Sequence, residues 1–169
     1  MIHLYIGDGK GKTTAAIGLG VRCAGSGAKV EILQFLKDGT SCENKSLENL
    51  NIKVTPCQRS SGFFWNMNDE QKKCLKNETD CGIDYAQKVL QGECCMLIMD
   101  EVLGAVENEL VDLQRLIALI KMYGGKKEIV LTGRKAPQEL LELADYVSEI
   151  RKIKHPFDKG IEAKKGIEY

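Results

Sequence analysis

Six short apolar runs punctuate the chain: Ile2–Ile6, Lys29–Phe35, Ile52–Thr55, Cys95–Met99, Glu128–Thr132 and Tyr146–Ile150. They lack the in–out alternation of a half-exposed strand, so they predict strands buried on both faces, as in a parallel sheet. Between them lie stretches with helical spacing: Lys12–Ala24, closed by Gly25 and Gly27; Asp69–Leu90; Glu109–Tyr123, closed by Gly124-Gly125; and Pro137–Leu143. Asn68 followed by Gln71 resembles a capping box, and Pro137 suits a first helical position. Strand–helix alternation from end to end predicts one α/β domain over residues 1–169, a mostly parallel sheet with helices on both faces. Two segments fall outside that scaffold: residues 56–67, which hold Pro56, Ser60-Ser61-Gly62 and Phe63-Phe64-Trp65, and the tail 154–169. Ligands of open α/β sheets lie beyond the carboxyl ends of the strands, so the loop 56–67 should reach the ligand edge.

Directly after the first apolar run stands Gly7-Asp8-Gly9-Lys10-Gly11-Lys12-Thr13-Thr14. Behind a strand and ahead of a helix, this reads as a phosphate-binding loop and makes the fold P-loop NTPase-like. Glycines at 7, 9 and 11 let backbone N–H groups approach a phosphate chain with no Cβ in the way. Lys12 supplies a point charge, Thr13 a hydroxyl for Mg²⁺, and the following helix the positive end of its dipole. The loop is short: Gly7 and Gly11 enclose three residues, where the common motif has four. It cannot wrap the β- and γ-phosphates in the usual way, so the reacting end of the nucleotide is expected elsewhere. The residues 7–14 are the predicted nucleotide-binding set.

Composition narrows the partners. Lys plus Arg equals Asp plus Glu at 24 each, and a neutral chain lacks the basic face that nucleic acid requires. Only the end is locally basic, with six Lys/Arg against three Asp/Glu over 151–169; it reads as a solvated tail or as a clamp on an anionic ligand. The seven cysteines, 23, 42, 57, 74, 81, 94 and 95, are odd in number and hold no Cys-x-x-Cys. A disulfide framework or zinc site is not expected; free thiols point to a reducing, cytoplasmic setting, with Cys23, Cys94 and Cys95 as small core residues. No apolar stretch approaches the ~18 residues of a membrane span, and no signal peptide is evident.

Met96–Met99 followed by Asp100-Glu101 is an apolar strand ending in two carboxylates. Beside a phosphate loop, such a strand delivers an acid to the Mg²⁺ held by the loop's Thr. Thr132-Gly133-Arg134 ends the fifth strand at the same edge, and Arg134 reads either as a phosphate grip or as a surface arginine. Phe63-Phe64-Trp65 reads as a buried lid anchor or as a platform for a large flat partner. His155 stands alone near the tail, as a base or a structural residue. No nucleophile–base pair is evident, which suits a chemistry whose substrates bring their own reactivity.

Taken in order, Gly7–Thr14 with Ala15-Ala16, Gln34-Phe35-Leu36-Lys37, Gly62-Phe63-Phe64-Trp65, Met99-Asp100-Glu101, Thr132-Gly133-Arg134 and the closing Lys154-His155-x-Phe157-x-x-Gly160-x-x-Ala163-x-x-Gly166-Ile167-Glu168-Tyr169 resemble the P-loop ATP:corrinoid adenosyltransferases. The resemblance implies transfer of the 5′-deoxyadenosyl group of ATP to Co(I) of cobalamin or a related corrinoid, with release of triphosphate. Carried over by position, Lys12 and the loop amides hold the triphosphate, Thr13 and Glu101 bind Mg²⁺ (or Mn²⁺), and Asp100 supports them. Phe63 and Trp65 fall where the family's aromatics occupy the lower face of the corrin and displace its axial base. That would raise the Co(II) potential toward a reducing flavoprotein. A homodimer is also implied. The chain departs from the pattern at Asp8, where many relatives have Asn and where the added charge either binds metal or points outward, and at Phe64, in place of a small polar residue. Some members carry an N-terminal extension that helps cover the site, whereas this sequence starts at the first strand. Two other function classes stand beside this one: a phosphoryl-transfer ATPase or kinase, and a non-catalytic corrinoid- or nucleotide-binding module.

Overall fold

A computed structural model describes residues 1–58 and 67–168. The strands are β1 (Ile2–Ile6), β2 (Val30–Gln34), β3 (Lys53–Pro56), β4 (Met96–Asp100), β5 (Glu128–Thr132) and β6 (Tyr146–Glu149). The helices are α1 (Lys12–Gly25), α2 (Glu43–Glu48), α3 (Asp69–Gln91), α4 (Val102–Glu107), α5 (Leu113–Tyr123) and α6 (Gln138–Leu143), and a 3₁₀ turn covers Pro156–Lys159. All strand pairs are parallel and the sheet order is β3-β2-β4-β5-β1-β6. The sheet is thus wholly rather than mostly parallel among the described residues.

Two cores flank the sheet, because successive side chains of a strand point to opposite faces. Val30 and Ile32 of β2, Met96 and Ile98 of β4 and Val130 of β5 pack under α1 and α2, with Ala16 and Leu47. Leu33, Leu97, Met99, Ile129 and Leu131 face the other way, against Ile83 of α3, Leu103 of α4, Leu116 of α5 and Leu140 of α6. This two-sided burial is why the strands read as unbroken apolar runs.

The capping box is present: Asn68 Oδ1 accepts from the Gln71 N–H, and Gln71 Oε1 from the Asn68 N–H, both at 2.9 Å. Other boundaries need correction. The single helix expected over Glu109–Tyr123 begins only at Leu113, because Asp112 is its N-cap, accepting from the Arg115 N–H at 2.8 Å. Ahead of it, α4 ends where Glu109 turns left-handed at φ 57°. Pro137 lies one position before α6 rather than inside it, and α2, α4 and the 3₁₀ turn were not anticipated. Among the thiols, Cys94 is buried and Cys23 half-buried, but Cys95 is exposed, since β4 starts after it and its side chain lies outside the core. Cys57 is buried instead, and burial pushes its thiol up to about 12. All seven cysteines are free.

Candidate active site

The loop between β1 and α1 is held from behind by the chain segments that leave β5 and β6. The Gly7 N–H donates to Arg134 O at 2.9 Å and the Gly9 N–H to Ile150 O at 2.8 Å. A Cβ on Gly7 would stand 2.3 Å from Ile150 O, and one on Gly9 2.7 Å from the same atom. These two glycines therefore let the loop press on residues 150–151; the Gly9 amide is taken up there and the Gly7 amide by the Arg134 carbonyl. Gly11 is different: at φ 113° it has open space around it and turns the chain into α1. The start of α1 has no side-chain cap and no acidic residue in its first turn. Its free N–H groups and positive dipole end are thus left for an anion.

Asp8 points away from that anion position. Its Oδ1 accepts from the Lys152 N–H at 3.0 Å, and this bond, ahead of the Lys152 and Lys12 charges, holds its carboxyl below the usual carboxylate range. Lys12 Nζ donates to Gly9 O at 2.9 Å, inside its own loop.

Facing the loop, β4 ends in Asp100 and Glu101. Asp100 is 1 % exposed and fully engaged: Oδ1 accepts from Thr13 Oγ1 at 2.8 Å and from Thr132 Oγ1 at 2.7 Å, while Oδ2 meets Lys37 Nζ at 2.7 Å. Thr132 Oγ1 also accepts from the Glu101 N–H at 2.8 Å. The chain turns sharply after β2 and β4, with Leu36 at φ 56° and Glu101 at φ 60°. Non-glycine residues pay for such a conformation with about 1–2 kcal/mol each. Burial, with Asp100 alongside, pushes the Glu101 carboxyl above its usual range, against the pull of Lys37, Lys12 and Arg134.

These groups border a cavity of about 790 Å³. Lys10–Thr14 and Glu101 form one wall, residues 36–46 another, and Gly166–Glu168 of the tail a third, with Gln58 also on its lining. The structure thus gathers Lys10, Gly11, Lys12, Thr13, Thr14 and Glu101 at one cavity, with Asp100 directly behind Thr13. Gly7, Asp8 and Gly9 face residues 150–152 instead. Arg134 is exposed and contributes its carbonyl to Gly7. Phe63, Phe64 and Trp65 lie outside the described residues. His155 caps the 3₁₀ turn, its Nδ1 accepting from the Phe157 N–H at 3.2 Å. Two contributors were given no role by sequence reasoning, Lys37 and the Thr132 hydroxyl, whereas the tail, read as solvated or as a clamp on an anionic ligand, brings residues 166–168 to the cavity. For those two the only signal was position at strand ends.

The family model for ATP:corrinoid adenosyltransferase BtuR/CobO/CobP matches residues 1–169. The corrinoid adenosyltransferase of Escherichia coli K12 is 34% identical over all of this chain and 85% of its own length. The corrinoid adenosyltransferase CobA of Salmonella typhimurium is 33% identical, again over all of this chain and 85% of its own. The corrinoid adenosyltransferase of Pseudomonas aeruginosa is 32% identical, over all of this chain and 83% of its own.

Proposed function

The chain belongs to the ATP:corrinoid adenosyltransferase family, and on that premise we propose that its cavity holds ATP for transfer of the 5′-deoxyadenosyl group to Co(I) of cobalamin or a related corrinoid, with inorganic triphosphate leaving. The observation that carries this reading is the joining of the loop to the acid pair: Thr13 bonded to Asp100 at 2.8 Å, with Lys12 and Glu101 on the same cavity.

Co(I) of the substrate attacks the ribose C5′; its electron pair forms the Co–C bond, and the C5′–O pair departs with the triphosphate. The side chains have no proton to move. No histidine lines the cavity among the described residues, since His3 is bonded to Glu128 and His155 caps a turn. The work left to this chain is to place C5′ and to stabilise the charge collecting on the leaving group. Lys10, Lys12 and the open amides of α1 are the groups positioned for that.

Charge on the lining supports a divalent cation. Among the described residues that border the cavity, Asp38, Glu43, Glu101 and Glu168 oppose Lys10, Lys12 and Lys37. A triphosphate adds further negative charge to a site already acidic. Thr13, Asp100 and Glu101 are hard oxygen donors and fit Mg²⁺, with Mn²⁺ as a substitute. When bound there, the ion would neutralise the phosphate oxygens and the acid pair together.

Phe63 and Trp65 serve the lower face of the corrin in this reading. What supports it is that Gln58, just before their segment, borders the cavity. A flavoprotein supplies the electron that takes Co(II) to Co(I), in a cytoplasmic setting consistent with seven free thiols. The partner subunit is a second copy: β6 is an edge strand whose four residues are all exposed, an edge that isolated proteins usually protect. No helix among the described residues is long and apolar enough to cross a membrane.

The test is an anaerobic assay with ATP, Mg²⁺ and chemically reduced cob(I)alamin. Light-sensitive Co–C product and triphosphate in equal amounts are expected. Orthophosphate without corrinoid product would make the chain an ATPase, and binding without turnover a carrier module.

A further inference from the structure

We infer that Lys37 is a positioning residue that neutralises the acid pair in the nucleotide-free protein and transfers to the triphosphate when a divalent cation and ATP bind. This rests on the cavity being the site of the cation–ATP complex.

Asp100 is closed off on one oxygen by two hydroxyls, from Thr13 and Thr132, so its second oxygen is what remains for a cation. Lys37 Nζ holds that oxygen at 2.7 Å. The two ends of the pair differ: Asp100 is 1 % exposed on its side chain, whereas Lys37 is 27 % exposed and borders the cavity. The carboxylate is fixed and the ammonium, on a flexible stem, is free to swing. A divalent cation bound between Thr13, Asp100 and Glu101 would repel an ammonium so close to the same carboxylate.

The phosphate chain has need of that ammonium. The Gly7 and Gly9 amides are spent on Arg134 and Ile150 carbonyls, so the loop offers fewer donors than its glycine count suggests. Lys37 lines the same cavity as Lys12, and Leu36 just before it sits at φ 56°, a conformation that a leucine rarely adopts. Such local strain persists where the surrounding structure requires the position.

Lys37→Gln removes the positive charge facing Asp100 and keeps a polar head group; because the buried carboxylate then lacks its counter-ion, circular dichroism first establishes that the variant is folded. Two bindings are read, without corrinoid so that nothing turns over: Mn²⁺ to the nucleotide-free protein by electron paramagnetic resonance, and Mg²⁺–ATP by calorimetry. We expect K37Q to bind Mn²⁺ about tenfold more tightly, its competitor gone, and Mg²⁺–ATP about tenfold more weakly. K37R should restore Mg²⁺–ATP binding to within about threefold, since the charge is retained. A K37Q protein that loses both bindings, or changes in neither, overturns the exchange and leaves Lys37 as a structural partner of Asp100. Glu101→Gln is run in parallel. If it binds Mg²⁺–ATP as tightly as the unmodified protein, the cation-site reading itself is overturned, and the exchange with it.

Discussion

Replacing Thr132 by valine removes one oxygen from the centre of the site and changes little else in volume. Thr132 is fully buried at the end of β5. Its hydroxyl donates to Asp100 at 2.7 Å and accepts from the Glu101 N–H at 2.8 Å. Loss of a hydrogen bond to a charged carboxylate costs about 1.5–3 kcal/mol, and a stranded buried N–H about 1–3 kcal/mol. Glu101 borders the cavity, so water reaches part of its surroundings and the lower end applies to the second term. The expected loss is about 2.5–4 kcal/mol, or roughly 5–16 °C in melting temperature for a chain of this size.

Thr132→Ser is the control. It keeps the oxygen and leaves a methyl-sized void, worth about 1 kcal/mol. Packing alone would rank serine as the worse substitution; the network ranks valine as the worse. Urea unfolding followed by circular dichroism gives the stabilities, and Mn²⁺–ATP binding reports the site, where valine should lose affinity and serine keep it. A valine variant within about 0.5 kcal/mol of the parent, or less harmful than serine, would refute the reasoning.

How much of this was legible beforehand depends on the distance over which each interaction acts. The strands were legible because burial on both faces writes an apolar run into contiguous residues. The start of α3 was legible because a capping box is complete within four residues. Helix α2 was not: only Leu47 among its six residues is buried, and one anchor makes no periodic pattern. Lys12, Thr13 and Glu101, which share the cavity, were singled out through motifs local in sequence. Lys37 was not assigned, because its partner lies 63 residues away and they meet only through the parallel register that sets Gln34 beside Asp100. Asp8 was placed in the nucleotide loop, binding metal or pointing outward; its carboxylate accepts from the Lys152 N–H, 144 residues on. The glycines at 7 and 9 were read as making room for phosphate. The structure gives that room to the backbone of residues 150–151, a contact that only the pairing of β1 with β6 creates.

That contact gives a second prediction. Gly9→Ala drives a Cβ to 2.7 Å from Ile150 O and 2.8 Å from Arg151 C, both backbone atoms; it should cost about 1–3 kcal/mol in urea unfolding and speed amide exchange over 150–152. Unchanged exchange there would show that the loop does not lean on this segment. Trp65→Ala should impair the reaction from cob(II)alamin with a flavoprotein reductant more than the reaction with chemically prepared cob(I)alamin, and equal losses would remove the axial-ligand argument. The last concerns pH. Burial first, and then Asp100, raises the Glu101 carboxyl above its ordinary value of 4.5. A carboxyl raised in the folded state favours folding while protonated, so its contribution is complete below about 4.5 and is lost as pH rises through the raised value. Ionised Glu101 therefore burdens the ligand-free protein at neutral pH, and Glu101→Gln should be the more stable of the two there, with the gap closing toward pH 4.5. Adding Mg²⁺ and ATP should reverse the order, because only the parent then offers a carboxylate to the cation. Melting curves at several pH values, with and without Mg²⁺–ATP, decide it: a variant less stable than the parent at neutral pH without ligand contradicts the assignment of Glu101 as a carboxylate held ready for a cation at the expense of stability.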